Sequence, residues 1–365
     1  MTLLGRRFSK LAEKASPSRV HLFLAGLVVG LVVIVIFSTG KGAVYLSPMQ
    51  CLGVFARHLG YTALIPATAQ QEAVLLSIRL PRIMLGLLVG AGLAVSGVAM
   101  QGLFRNALAD PSLIGVSGGA ALGATGIIVV SDLAGISLGT FPGFFALPIA
   151  AFVGGLGTTY LILRIAGHTG TTNVSTLLLV GIAINALVQA LIGLLTFFAT
   201  DTALRNLTFW RLGSLGGATW TTVGVMTPFV VMPLVVFPQM GQSLNIYLLG
   251  ESEAFHLGLN LERLKQTVII LVAVAVGATV SVTGIIGFVG LIVPHLLRQI
   301  IGPDHRFLFP ASALLGASLL VLADMIARTI VVPAELPIGI ITALIGAPVF
   351  LWMLVNDRNL VGTHA

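Results

Sequence analysis

The stretch Arg79–Gly119, RLPRIMLGLLVGAGLAVSGVAMQGLFRNALADPSLIGVSGG, decides how the chain is read. It opens with two arginines around a proline, runs 22 residues without a charge from Ile83 to Phe104, and closes on Arg105. About 20 apolar residues cross a ~30 Å hydrocarbon core as one helix, so a membrane-spanning helix is predicted over 82–104. Gly86, Gly90, Ala94 and Gly97 recur three or four apart, on one helical stripe. Lipid supplies no hydrophobic force between helices, and small residues allow the close backbone approach that packs them. The stretch is therefore expected inside a helical bundle, with charges held at both rims.

The rest of the chain agrees. Of 365 residues 57% are hydrophobic and 8% charged, against roughly 25% charged in a soluble domain. That balance excludes a water-soluble globule. Cys51 is the one cysteine, so no intrachain disulfide forms. The formal charge of +7 points to basic cytosolic loops selected by membrane insertion and not to a nucleic-acid partner. Arg6, Arg7, Lys10, Lys14 and Arg19 precede an apolar run, Val20–Phe37. The run is longer than the roughly 7–15 residues of a signal peptide's core, and no small-x-small cleavage site follows. It reads as a first span with its basic flank, 1–19, in the cytoplasm.

Charged and turn-rich breaks predict ten spans: 20–38, 82–104, 113–131, 143–164, 174–199, 221–240, 266–284, 285–301, 308–328 and 337–355, the seventh and eighth joined by a tight turn at Gly284. The fold class expected is all-α, one polytopic membrane domain over 1–365 with ten transmembrane helices and both termini cytoplasmic. Lys41, Arg57, Arg79, Arg82, Arg205, Arg211 and Arg328 then lie outside, and the other twelve of the 19 Lys and Arg lie inside, the bias that insertion favours.

No energy source is visible. A phosphate loop needs Gly-x-x-x-x-Gly-Lys-Ser/Thr, and Gly40-Lys41 lacks both the upstream glycine and the hydroxyl. Ion-coupled carriers hold ionisable residues in mid-membrane; here the clearest candidate is Asp324, read as an intrahelical pair with Arg328 one turn away, or else as a proton relay. A chain so built is expected to draw its energy from a partner. The cytosolic segment 250–265, GESEAFHLGLNLERLK, offers the contact. Ala254, Leu257, Leu261 and Leu264 form an apolar stripe, and Gly258 and Asn260 break the segment into two short helices suited to docking in a groove or to lying on the bilayer. At the outer rim Arg79, Arg82 and Arg328 run against the charge bias. They read either as snorkelling side chains or as a cationic patch for a partner's carboxylates.

Several long motifs occur in order: RLPR (79–82), MQGLFRNALADPSLIGVSGGAALG (100–123), GFVGLIVPHLLR (287–298), DHRFLFP (304–310) and AELPIGIITALIGAPVFLWML (334–354). In these the chain resembles the permease subunits of type II ABC importers, which carry ferric siderophores, haem and cobalamin. The resemblance implies a multi-pass permease of the bacterial inner membrane that pairs with a second copy of itself. It also implies two cytoplasmic ATPase subunits beneath, which use ATP and magnesium, and a periplasmic substrate-binding protein above. The permease itself would be no enzyme and would bind no cofactor. By the same resemblance Arg79, Arg82 and Arg328 dock the binding protein. Asn106 and Leu108, with Ser175 and Thr176, form the cytoplasmic gate, and Gly250, Glu251, Ala254, Leu257, Gly258 and Leu261 belong to the coupling element at 250–264. Ala107 stands where the family has proline. LFRNALADPSLIGVSGGA and LTFWRLGSLGGATW (207–220) look most like haem permeases, with ferric siderophore or cobalamin as alternatives. The seven histidines (His21, His58, His168, His256, His295, His305 and His364) fall at expected ends or loops, so no metal-ligating set is expected. A proton-coupled secondary transporter working through Asp324 is the rival from another class, and a purely structural membrane subunit a third possibility.

Overall fold

The computed structural model describes residues 17–42, 44–58, 67–136, 145–167, 173–331 and 334–356. Among them the only regular structure is helical. Helix α1 (Pro17–Gly40) is followed by the short α2 (Pro48–His58) and the long α3 (Ala69–Leu103). Then come α4 (Val116–Leu133), α5 (Ala146–Ala166), α6 (Val174–Phe197), α7 (Asp201–Leu212) and α8 (Trp220–Gln239). The chain continues through α9 (Gly241–Tyr247), α10 (Glu251–His256), α11 (Leu261–Thr283), α12 (Val289–Ile301), α13 (His305–Ile330) and α14 (Ile338–Asn356).

Helix α3 is the axis. Its apolar window is 83% covered by the rest of the chain, whereas that of α1 is 6% covered. It packs against α8, α11, α12 and α13, and its glycine stripe makes the closest approaches. A Cβ on Gly90 would lie 2.3 Å from the carbonyl oxygen of Gly316 in α13, and one on Gly97 would lie 1.7 Å from that of Gly290 in α12. Only hydrogen fits at either place, as small-residue packing in lipid requires. Before the span, Pro81 has no N–H to give, and the turn Val74–Arg79 is wound as a π-helix, the Leu80 N–H reaching back to the Leu75 carbonyl. Gly90 and Gly97 thus fix where α13 and α12 sit, while Pro81 sets how α3 enters the bundle.

Among the described residues, eight helices are long and apolar enough to cross a membrane. Helices α12 and α14 stand where the eighth and tenth spans are expected, and their described apolar stretches are shorter than that measure. The expected eighth span, 285–301, loses its first turn. Residues 284–288 are not helical, Gly284 and Phe288 both adopt positive φ, and α12 begins at Val289. The turn is therefore a five-residue connection and not a pivot at Gly284 alone. Helix α7 adds to the expected elements and occupies the connection before the sixth span. Its end is tied in by backbone bonds from the Ser214 N–H to the Thr283 carbonyl (2.8 Å) and from the Ile338 N–H to the Gly213 carbonyl (3.0 Å).

Candidate functional site

The end of α3 that leads into RNALAD and the start of α11 meet at one corner of the bundle. Helix α3 closes with the Asn106 N–H on the Gln101 carbonyl (3.2 Å), and Arg105 takes φ 47°. Glycine usually fills such a left-handed position after a helix; a side chain there costs about 1–2 kcal/mol. Asn106 Oδ1 accepts from the Leu108 N–H (2.8 Å) and Asp110 Oδ1 from the Ser112 N–H (2.8 Å). The loop is thus built from local side-chain turns. Asn106 is exposed and Leu108 half-buried.

Across the corner, Gly250 (φ 125°) and Gly258 (φ 82°) bracket α10. The expected pair of short helices is corrected here: α10 is short, but Leu261 opens the 23-residue α11, whose first turn Asn260 caps by accepting from the Arg263 N–H (3.0 Å). The single apolar stripe is corrected as well. Ala254 and Leu264 are buried and Leu261 half-buried, while Leu257 is exposed beside Phe255.

Glu251 joins the two sides. It accepts from the Tyr247 hydroxyl (2.9 Å) and from Lys265 Nζ (2.9 Å), and Arg105 Nη2 stands 4.0 Å away. The Arg105 guanidinium also lies 4.4 Å from the centroid of the Tyr247 ring, a cation–π arrangement. Burial pushes the Glu251 carboxyl up, but hydrogen bonds from Lys265 and Tyr247 and the charges of Lys265 and Arg105 outweigh it and hold the group below its ordinary value. Burial, then Glu251, raises the Tyr247 phenol, so it stays a donor. Asn173 caps α6 by accepting from the Ser175 N–H (2.8 Å). Asn173 and Ser175 line, with Arg105, Tyr247, Glu251 and Lys265, a cleft of about 370 Å³. Ser175, expected in the gate, and Glu251, expected in the coupling element, therefore line one cleft. Thr176 is exposed beside it, and Asn106 and Leu108 belong to the loop that starts at its wall. Sequence reasoning misses Tyr247 and Lys265, since neither stands out until the fold brings α9 and α11 to Glu251.

The opposite rim departs from expectation. Arg79, Arg82 and Arg328 are 3%, 7% and 7% exposed and form no cationic surface. Arg82 Nε donates to Asp324 Oδ1 (2.8 Å) and its Nη1 to Glu335 Oε2 (2.8 Å). Arg328 Nε stands 3.6 Å from Asp324 Oδ2. The last carbonyls of a helix lack intrahelical donors, and here arginines serve those of α1. Arg328 Nη2 donates to the Ser38 carbonyl (2.6 Å), Arg79 Nη1 to the Thr39 carbonyl (2.6 Å), and Arg79 Nη2 to the Val44 carbonyl. Asp324 is thus bonded chiefly to Arg82 on another helix, in addition to the expected intrahelical pair with Arg328. Glu335, the remaining partner, carries no signal in the sequence that would single it out.

No group of three His, Cys, Asp or Glu able to hold a metal occurs among the described residues. His295 sits at the centre of α12, not at its end, and His305 is wholly buried with Nδ1 on Asn245 Oδ1 (2.8 Å). His168 and His364 lie outside the described residues. Helix α6 carries Gln189 exposed in its second half, and Leu179, Ile182, Leu187, Leu194 and Phe197 are exposed along it.

Residues 30–356 match the model of the FecCD transport family. The chain is 42% identical over 339 residues, 93% of its length and 97% of the relative's, to the hemin transport system permease protein HmuU of Yersinia pestis. It is 44% identical over 298 residues, 81% of its length and 76% of the relative's, to the cobalamin import system permease protein BtuC of Halobacterium salinarum. A solved inward-facing structure assigned to the metal-chelate type of ABC transporter superposes with a TM-score of 0.79 at 34% identity, covering 91% of this chain and 98% of that one.

Proposed function

The chain belongs to the FecCD transport family, the permeases of type II ABC importers, and from that premise we propose that its cargo is haem, taken from a periplasmic binding protein and released to the cytoplasm. The importer class comprises haem, cobalamin and siderophore permeases; haem is favoured by the similarity to the hemin permease over nearly the full length of both chains. In this reading ten crossings leave both termini and the Glu251 corner in the cytoplasm. Two copies pair through the exposed faces of α6 and α14, where Ile182 and Leu187 of α6 and Leu344 and Trp352 of α14 are more than half exposed among the described residues. Gln189, exposed on α6, then borders the path.

The observation that carries the mechanism is Glu251. A separate ATPase gripping α10 through exposed Phe255 and Leu257 pulls on a carboxylate bonded to Tyr247 and Lys265 and facing Arg105. Arg105 opens the loop that contains Asn106 and Leu108, and Ser175 lines the same cleft. Closure of the ATPases is thereby passed to both gate segments. At the outer rim, a docking role for Arg82 requires an incoming carboxylate to displace Glu335, whose side chain is 46% exposed and so the accessible partner. A proton relay through Asp324 is disfavoured, because that carboxylate is buried and bonded to Arg82.

The test is ATPase stimulation in the reconstituted complex, comparing haem, ferrichrome and cobalamin, each with its candidate binding protein. Stimulation by haem alone supports the assignment; stimulation by cobalamin or ferrichrome and not by haem overturns it.

A further inference from the structure

A second cleft, of about 790 Å³, lies between α5 and α11, away from the gate and coupling residues. We propose that it holds one acyl chain of a bound aminophospholipid. The inference goes beyond the transport reading and needs only the membrane-spanning fold.

The cleft has a polar and an apolar end. Arg164 of α5 and Glu262 and Gln266 of α11 line one end, and Leu156, Ala273 and Val274 line the other. From Leu156 to Gly167, just past its end, the wall follows α5 for eleven residue steps, about 16 Å at ~1.5 Å per residue. One leaflet of a ~30 Å hydrocarbon core is about as deep. The polar end coincides with the C-terminus of α5 and the N-terminus of α11, where both helices leave the membrane. A lipid tail therefore fits the apolar length while its headgroup reaches the charges.

Those charges select the headgroup. The exposed Arg164 guanidinium suits a phosphate, with charge-assisted hydrogen bonds. Glu262, whose Oε1 accepts from Gln266 Nε2 at 2.7 Å, places a carboxylate at the same end. An ammonium group beside the phosphate complements it, whereas a net-anionic headgroup meets repulsion. Phosphatidylethanolamine is the chemistry that satisfies both.

The experiment is to purify the full chain from nanodiscs of equal phosphatidylethanolamine and phosphatidylglycerol, exchange it into detergent, and count retained phospholipid by native mass spectrometry. The expected result is about one phosphatidylethanolamine per chain. Arg164→Ala lowers that retention about tenfold, the factor carried by one charge-assisted hydrogen bond, and Arg164→Lys restores part of it. Arg164 is exposed, so the first variant keeps the packing. Val274→Trp, which fills the apolar end, removes the lipid while the protein stays monodisperse. Equal retention of phosphatidylglycerol, equal loss from all variants, or no retained lipid in the unaltered chain each overturns the proposal.

Discussion

The two ends of α3 hold charges in opposite ways. At its first end, the rim, Arg82 and Asp324 have side chains 8% and 3% exposed and lie 2.8 Å apart. At its last end, the corner, Glu251 and Arg105 are 44% and 34% exposed and lie 4.0 Å apart. Breaking a buried pair by removing one partner costs about 3–5 kcal/mol, while exposed pairs contribute about 0–1 kcal/mol. The rim is therefore a fixed staple joining α3 to α13 and to the end of α1. The Arg105–Glu251 contact can form and break at little cost, while Lys265, 5% exposed, keeps its 2.9 Å hold on Glu251, an arrangement that suits the joint proposed for it.

The largest effect that sharpens this contrast is at the rim. Asp324→Ala leaves Arg82 and Arg328 without their buried carboxylate and should destabilise the fold by about 3–5 kcal/mol, read as a drop in Tm of the purified protein. A Tm unchanged by the substitution would remove the distinction between staple and joint.

At the corner, Glu251→Gln removes the charge facing buried Lys265 and should cost about 1–3 kcal/mol, less than the rim substitution, yet lower uptake per ATP hydrolysed about fivefold or more, the scale of an ordinary coupling energy between sites. Uptake and hydrolysis falling together, at constant ratio, would mean that Glu251 serves assembly only.

Glu335→Gln frees one face of Arg82 at the half-exposed side of the staple. Binding-protein docking should tighten about two- to fivefold, the range of an exposed pair, with Tm almost unchanged. Weaker docking would show that Glu335 itself contacts the partner.

The smallest effect is with pH. Asp304, just before α13, is held at about 2, chiefly by hydrogen bonds from Arg306, against an ordinary 3.8. A depressed folded value adds stability that is fully present above the ordinary value and is lost as pH falls toward 2. Acid titration of the unaltered chain should show this step between about pH 4 and pH 2, and Asp304→Asn should lack it.

How much of this was legible in the sequence follows from the range of each interaction. The stripe Gly86–Gly90–Ala94–Gly97 is periodic within one helix, so a close-packed face could be read without knowing that Gly316 and Gly290 meet it. The Asn106 turn and the Asn260 cap are local, closed within three residues. The arginines are misjudged from sequence because their partners are remote: Asp324 is 242 positions from Arg82, and Glu335 is 253. Sequence shows that a cation stands near the rim, not whether it faces water or another helix. The stripe at 254–264 fails for a different reason. Asn260 caps a helix that continues for 23 residues, so Leu264 turns into the bundle instead of joining Leu257 on a docking face.

On the proposed mechanism, motion enters through α10 from a separate motor. The direct measurement is haem uptake into proteoliposomes holding the permease and loaded with or without its ATPase partner, under ATP or under an imposed pH gradient. Uptake is expected only with both ATPase and ATP present, and should be lost together with coupling in Glu251→Gln. Uptake by the permease alone, driven by the pH gradient, would contradict the account.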